Sequence, residues 1–510
     1  MIPHQSRLLP LLSLFLLGGC ALQPSPLLDT ELAKAGLERT LAVAADQEPV
    51  AGAIDLYEAV ARGLLYNLDH RVEVMQTAVR MSELDVAHYQ LLPGLVANSG
   101  YANRNNDLAS SSFNLVTDVP NFGSSTSQER ALRTSDMTFS WYVLDFGLSY
   151  IRARQAADKA LIAEEMRRKA AHRIVEDIRT AYWRAVSAEH LIRRLERLKV
   201  RTAEAKRSAH AVSADRQTSA IAGLTHVREL VEIERSLKEL GRELSTARLQ
   251  LAALMNLKPG TKFSLVRPAH LSVPALGRST TEMIAVALQQ RPEMRENLYQ
   301  KRINDQELRA AYLDLLPGIQ LYGGTNTDSN DFLLNNHWLG WGARASFNLI
   351  KAFQMPAKRE LVNAQDKLLE ARGLALTMAI MTQVYVSHVR LRYFADELKS
   401  AEEMRTVQTE LAANLSAEAA AGRVSEQALL REELAALVAE AKRDIAYAAV
   451  QNAYANCLSS MGLDPVYAPS GIGQSAVTTV SALASRLRQD AHARVAHPPV
   501  MQVSYDRRGG

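Results

Sequence analysis

The run MRRKAAHRIVEDIRTAYWRA, from Met166 to Ala185, decides how this chain folds. Met166, Ala170, Ile174, Ile178, Ala181 and Ala185 fall three or four apart, with Arg, Lys and Glu filling the other faces. That spacing predicts a helix with one apolar stripe. The pattern continues through Leu191, Leu195 and Leu198, inside a stretch from Leu148 to Ala222 without proline or glycine, bounded by Gly147 and Gly223. Roughly 75 residues at about 1.5 Å each make a rod of about 110 Å. An ordinary helix has about 11–12 residues. A lone rod of that length cannot bury its stripe, so it needs neighbouring or antiparallel partners.

The chain supplies the arrangement twice. Leu288-Gln289-Gln290-Arg291-Pro292-Glu293-Met294 matches Leu68-Asp69-His70-Arg71-Val72-Glu73-Val74, and Leu315-Leu316-Pro317-Gly318-Ile319 matches Leu91-Leu92-Pro93-Gly94-Leu95. The offset rises from 220 to 224 residues between these anchors. Four residues are about one helical turn, so the insertion roughly preserves the buried face. The repeat is a duplication of a large unit, far longer than the roughly 20–50 residues of solenoid repeats.

After each Leu-Leu-Pro-Gly the period changes to two. Met137, Phe139, Trp141 and Val143 alternate with Asp136, Thr138, Ser140 and Tyr142. Leu339, Trp341, Ala343, Ala345 and Phe347 alternate with Gly340, Gly342, Arg344 and Ser346. Such alternation suits a half-buried strand, or a barrel strand between lipid and water. Weaker strands, Leu95 to Asn103 and Ile319 to Thr327, open each pair; Asn105 to Arg133 and Asp328 to Asn336 read as loops. Each unit thus predicts helix, helix, strand, loop, strand, very long helix, turn and long helix. The first hairpin turns at Gly223; the second starts at Pro356 and turns at Gly422. The expected divisions are a signal over 1–19, a tether over 20–50, repeats over 51–260 and 261–465, and a poorly ordered tail over 466–510.

The amino terminus reads as a secretory signal: Arg7, then the apolar core Leu8 to Leu17. Leu17-Gly18-Gly19-Cys20 resembles the lipobox of bacterial lipoproteins, which implies acylation of Cys20 as the mature amino terminus. Ala21 after the cysteine then implies sorting to the outer membrane, anchored by acyl chains. The other cysteine, Cys457, lies in a helical pattern and is expected to pack rather than react. A net charge of +4 over 510 residues, with both signs interspersed, gives no support for nucleic-acid binding. No apolar run after the signal reaches the roughly 18 residues of a membrane-spanning helix. Any crossing must use strands, and four cannot close a barrel, which needs about eight. More than one copy is required.

In this architecture the chain resembles the TolC family of outer-membrane efflux proteins over about residues 50 to 465. The marks are the duplication, the two Leu-Leu-Pro-Gly junctions, and Phe139-Ser140-Trp141-Tyr142-Val143-Leu144-Asp145-Phe146-Gly147, similar to the family's strand ending in an Asp-x-Gly-type turn. Two hairpin tips also fit, Ala222-Gly223-Leu224 and Ala421-Gly422-Arg423-Val424-Ser425. The resemblance implies a fold of α-helices plus a transmembrane β-barrel: a homotrimer whose four strands per chain build a twelve-stranded barrel above an α-helical tunnel across the periplasm. It implies tips that meet a periplasmic adaptor and, through it, an inner-membrane transporter. The best-known members carry two acidic residues past the second tip; the matching positions here are Ala428 and Arg431. Glu229 lies at a comparable distance past Gly223, so Glu229 and Arg431 are the candidate entrance residues. A ring of arginine selects anions in pores, so the entrance is expected to be less cation-selective than the family pattern.

No catalytic constellation, cofactor site or metal site stands out, and an enzyme is not expected. Gly340-Trp341-Gly342-Ala343-Arg344-Ala345 fits a loose dinucleotide pattern but lies inside an alternating strand with no helix opening after it. Trp141, Trp338 and Trp341 suit an interfacial aromatic girdle. The runner-up function is a periplasmic coiled-coil lipoprotein, structural or adaptor-like, with no channel. It accounts for the hairpins and the anchor and leaves the strand pairs unexplained. The exported cargo is not legible, because a conduit takes its specificity largely from its pump.

Overall fold

A computed structural model describes residues 26–43, 45, 47–213, 220–267, 273, 276–463 and 479–496. Helix α1 (Asp29–Ala42) and the short strand β1 (Ala53–Ile54) precede the first unit. That unit contains α2 (Leu56–Tyr66), α3 (Leu68–Tyr89), β2 (Gly94–Asn103), β3 (Ala109–Asn114), β4 (Val119–Thr126), β5 (Ala131–Tyr142), α4 (Val143–Ser213) and α5 (Ala220–Leu254). After β6 (Ser264–Leu265), the second unit contains α6 (Thr280–Gln290), α7 (Pro292–Leu313), β7 (Gly318–Asp328), β8 (His337–Ser346), α8 (Leu349–Ala420) and α9 (Glu426–Ser460). A last helix, α10, spans Val480–Ala496.

The duplication is carried through in length. Matching helices have 11 and 11, 22 and 22, 71 and 72, and 35 and 35 residues. Equivalent helix starts use different chemistry. Asn67 Oδ1 accepts from the amides of Asp69 and His70 at the head of α3, whereas α7 begins with Pro292. Asn67 satisfies two orphan donors of its first turn through a side-chain acceptor, whereas Pro292 has no N–H at the first helical position to satisfy.

The main core lies where the helices of both units converge. Ile174, Val175, Ile178 and Tyr182 of α4 pack with Val60 of α2, Met283 of α6, Val384 of α8 and Val450 of α9. The expected stripe is buried from Ile174 through Leu198, but Met166 faces outward. β1 and β6 pair in parallel beside this core, and the Tyr182 hydroxyl donates to the Val266 carbonyl at 2.7 Å. A second apolar seam follows the hairpins through Leu191, Leu195, Leu230, Leu237, Leu430 and Leu437. Cys457 is buried in the main core, where desolvation raises its thiol pKa, as suits the packing role expected of it.

Several boundaries differ from the sequence reading. α4 begins at Val143, so Asp145-Phe146-Gly147 is helical rather than a turn. α5 begins at Ala220, so Gly223 lies inside the return helix rather than at the turn. α8 starts at Leu349 under an Asn348 cap and runs through Pro356. The missing proline N–H deprives only the carbonyl of Ala352, an exposed residue. The loop Asn105 to Arg133 holds the hairpin β3–β4. The tether contains α1. The tail is not wholly irregular: Val480, Leu483, Ala484 and Leu487 of α10 are buried, and Arg488 pairs with Asp55 at 2.5 Å. Cys20 and the signal lie outside the described residues. Among the described residues no helix is long and apolar enough to cross a membrane.

Leu483→Ala and Leu487→Ala should each destabilise the helical body by about 2–5 kcal/mol, the range for buried leucine truncation. Urea unfolding followed by far-UV circular dichroism checks this; an unchanged midpoint in both would show that α10 adds nothing.

Candidate functional site

Pro93-Gly94 and Pro317-Gly318 end α3 and α7 and start the strands of one antiparallel sheet, in the order β2-β5-β7-β8. Opposed residues in such a sheet share a face. One row reads Leu95, Phe139, Gly323 and Trp341; the next reads Ala97, Met137, Thr325 and Leu339. On the opposite face a row reads Asn98, Asp136, Asn326 and Trp338, and another Gly100, Thr134 and Asp328. Asp136 Oδ2 accepts from Asn98 Nδ2 and Thr138 Oγ1, both at 3.0 Å. Over these rows the Phe139 face is mainly apolar and the opposite face mainly polar or small, and the row Ser99, Ser135, Thr327 and His337 ends the apolar band. Trp141 and Trp341 lie on the apolar face, but Trp338 lies on the polar one, so the three do not share a girdle. Close strand approach depends on Gly324, whose added Cβ would come within 2.4 Å of the Met137 carbonyl oxygen.

At the far end of the long helices, α8 stops at Ala420. Ala421, Gly422, Arg423 and Val424 form the reversal, and Gly422 has φ 71°, a left-handed conformation that glycine adopts without strain. Ser425 then caps α9 by accepting from the Ala428 amide at 3.2 Å. The first hairpin differs: Ala222, Gly223 and Leu224 occupy the first turns of α5, and residues 214–219 lie outside the described part.

The two candidate entrance residues meet. Arg431 Nη2 of α9 lies 2.5 Å from Glu229 Oε2 of α5, and Gln427 donates to the same carboxylate. Arg431 is therefore not an isolated positive group. It ties the return helices of the two units together.

Further ion pairs bind the hairpins and were not foreseen. On α4, Arg194 and Arg201 stand seven apart; on α9, Glu433 and Glu440 do too, and they pair as Arg194 with Glu440 and Arg201 with Glu433. Seven residues are about two helical turns, so matched spacings on antiparallel helices were the available signal. His190 Nε2 also lies 2.9 Å from Glu440. Between α4 and α5, Lys206 binds Glu234 at 2.7 Å, and Lys238 binds it at 2.6 Å. These ammonium groups hold the Glu234 carboxyl at about 2. Nearby, a groove of about 430 Å³ runs between α4 and α8, with Arg197 on one side and Ala412, Ala413 and Ser416 on the other.

No protein-family model matches the chain, and no curated protein matches it either. Among solved structures it is similar to the outer membrane channel CmeC of Campylobacter jejuni, at 13% identity and a TM-score of 0.63 over 89% of this chain and 94% of that one. It is also similar to the open state of the outer membrane channel MtrE of Neisseria gonorrhoeae, at 16% identity and 0.61 over 80% of this chain and 89% of that one. The outer membrane protein VceC of Vibrio cholerae matches at 12% identity and 0.60 over 80% and 96%. The chain has the fold of these outer-membrane channels. The duplicated long helical hairpins and strand pairs expected from the resemblance are the fold adopted, with a four-stranded sheet that is not closed.

Glu234 has a folded pKa below its ordinary value, so its pairing contributes stability above about pH 4.5 that is lost as pH falls through about 2. Between those values the wild type should lose stability more steeply than Glu234→Gln. Parallel acid titrations followed by circular dichroism would refute this if the two curves had the same slope.

Proposed function

We propose that this chain is one subunit of a passive outer-membrane channel in a tripartite efflux or secretion system. The observation that carries the proposal is the two-faced sheet with β2 and β8 unpaired at its edges. An apolar outer face, a polar inner face and edges that need partners are the requirements of a barrel wall in lipid. The solved structures of similar fold are themselves outer-membrane channels. Three copies would give twelve strands, the number that the TolC resemblance implies. Apolar residues left exposed on the long helices, including Met75 and Val79 of α3 and Leu361, Leu368 and Met378 of α8, suit burial between copies.

In this reading the long helices reach into the periplasm as a tunnel. The tip Ala421–Ser425 and the start of α5 at Ala222, Gly223 and Leu224 would dock a periplasmic adaptor that joins an inner-membrane transporter. The nearby groove with its small α8 residues leaves room for a partner helix. Cys20 would carry the lipid that holds each chain to the outer membrane. A non-channel coiled-coil lipoprotein gives the two-faced sheet no purpose, and we set it aside.

Negative-stain electron microscopy of the detergent-purified protein should show hollow, threefold particles well over about 100 Å long; solid or dispersed rods would defeat the channel reading. In planar bilayers the same preparation should give discrete conductance steps. Arg431→Asp, which replaces a neutral pair by two carboxylates, should shift permeability towards cations. An unchanged ratio would remove Arg431 from the entrance lining.

A further inference from the structure

The hairpin β3–β4 stands apart from the main sheet as a two-stranded ribbon. Its register puts Phe113 opposite Pro120 on one face and Ser112 opposite Asn121 on the other, and Phe122 follows in a bulge where the register shifts. Leu115 and Val116 at its tip are 89% and 93% exposed, and Phe122 is 82% exposed. A lone two-stranded hairpin is marginal in water at best, and this one leaves its aromatic side uncovered.

The base of the ribbon, in contrast, is fastened. Arg130 Nε and Nη2 bind both carboxylate oxygens of Asp107 at 2.6 Å. Asn330, only 6% exposed, accepts from the Glu129 amide at 3.2 Å and donates to the Ser127 carbonyl at 3.0 Å. Ser329 exchanges hydrogen bonds with the backbone of Arg133. At the tip, Asn114 Oδ1 accepts from the amides of Val116 and Thr117, closing the turn. The ribbon is thus a fixed projection that presents an apolar side.

The chain holds a second uncovered apolar patch at the same end of the sheet. The β7–β8 connection carries Phe332 and Leu334, 56% and 98% exposed. Its polar residues Ser329 and Asn330 serve the ribbon's base in the same chain, while Phe332 and Leu334 are left largely exposed. Alternating strand directions put the β2–β5 and β7–β8 connections at one end. If copies close a ring through their free edges, β8 of one copy adjoins β2 of the next. The Phe332–Leu334 segment then lies beside the next copy's ribbon.

We propose that the β3–β4 ribbon, through the paired Phe113 and Pro120 and the exposed Phe122 of the adjoining bulge, receives Phe332 and Leu334 of the neighbouring copy. The contact forms an apolar latch between subunits at the outer rim of the barrel. It rests on the ring assembly proposed above. It adds a fastening outside the hydrocarbon, where backbone pairing alone would have to hold the seam.

The test uses cells co-expressing two full-length variants, one Phe122→Cys and one Leu334→Cys, with wild type carrying Cys20 and Cys457 as the control. After mild oxidation, non-reducing electrophoresis should give a covalent dimer that disappears on reduction and is missing from wild type and from either variant alone. A Val116→Cys chain that crosslinks with itself would mean that ribbon tips meet each other, and would overturn the latch. So would the lack of any dimer in a preparation whose native mass is that of an intact oligomer. A native mass of one chain would instead overturn the ring assembly itself.

Discussion

Hydrocarbon offers a backbone amide no partner, and each group left unpaired there costs several kcal/mol. In the channel proposed above the constraint falls on two strands. β5 and β7 are paired on both sides, whereas β2 and β8 each have one side without a partner. The sheet cannot curl shut alone, since closure needs about eight strands. Every other feature is compatible with resolving that deficit by symmetry. The apolar face collects Leu95, Phe139, Met137, Leu339 and Trp341, with Gly323 and Thr325 between them on β7, and the charged residue Asp136 is kept to the opposite face with its two hydrogen-bond donors. Glycines such as Gly324 let neighbouring strands approach where a side chain would strike backbone.

The helices continue the same logic below the sheet. α4 has 71 residues and is covered along its length by two shorter partners, the 22-residue α3 towards the sheet and the 35-residue α5 towards the tip. Thr77 of α3 reaches the Ala163 carbonyl of α4, whereas Leu230 and Leu237 of α5 join Leu191 and Leu195 of α4. One long helix thus runs past two shorter ones of its own unit, and helices of the second unit cover it as well. The second unit repeats the scheme with α7, α8 and α9. Equal lengths in the two units keep all four hairpin arms level, which a wall built from both units requires.

Much of this was legible because it is periodic. The three-to-four spacing from Ile174 to Leu198 gave the rod, and the alternation from Asp136 to Tyr142 gave the strand. What was missed lacks a period or depends on context. The ribbon β3–β4 is mostly Ser, Asn and Thr, with Phe113 and Pro120 seven residues apart in sequence and opposite each other only after the turn. Gly223 and Gly422 look alike in sequence, but only Gly422 is at positive φ; Gly223 is within a helix, which glycine weakens without forbidding. Pro356 is tolerated inside α8 because its helix already has an Asn348 cap and the deprived carbonyl belongs to an exposed residue. The helix α10 did carry a signal, the set Val480, Leu483, Ala484 and Leu487, which the prolines further along the tail obscured.

The entrance end is held differently from the rest. Along the hairpins, the leucine seam from Leu191 to Leu437 is fully buried, and the ion pairs at Glu433 and Glu440 lie alongside it. Towards the tip the seam ends near Ala209, Val227 and Leu430. What joins the two units there is the polar cluster of Glu229, Gln427 and Arg431. An exposed ion pair of this kind contributes about 0–1 kcal/mol and weakens with salt. Losing the leucine seam would cost several times more, since each buried leucine is worth about 1.5–3 kcal/mol. The ends of the hairpins are therefore the part of the two units that can separate most cheaply. The Arg431–Glu229 pair is thus a weak clasp between the two return helices near the tip of the hairpins.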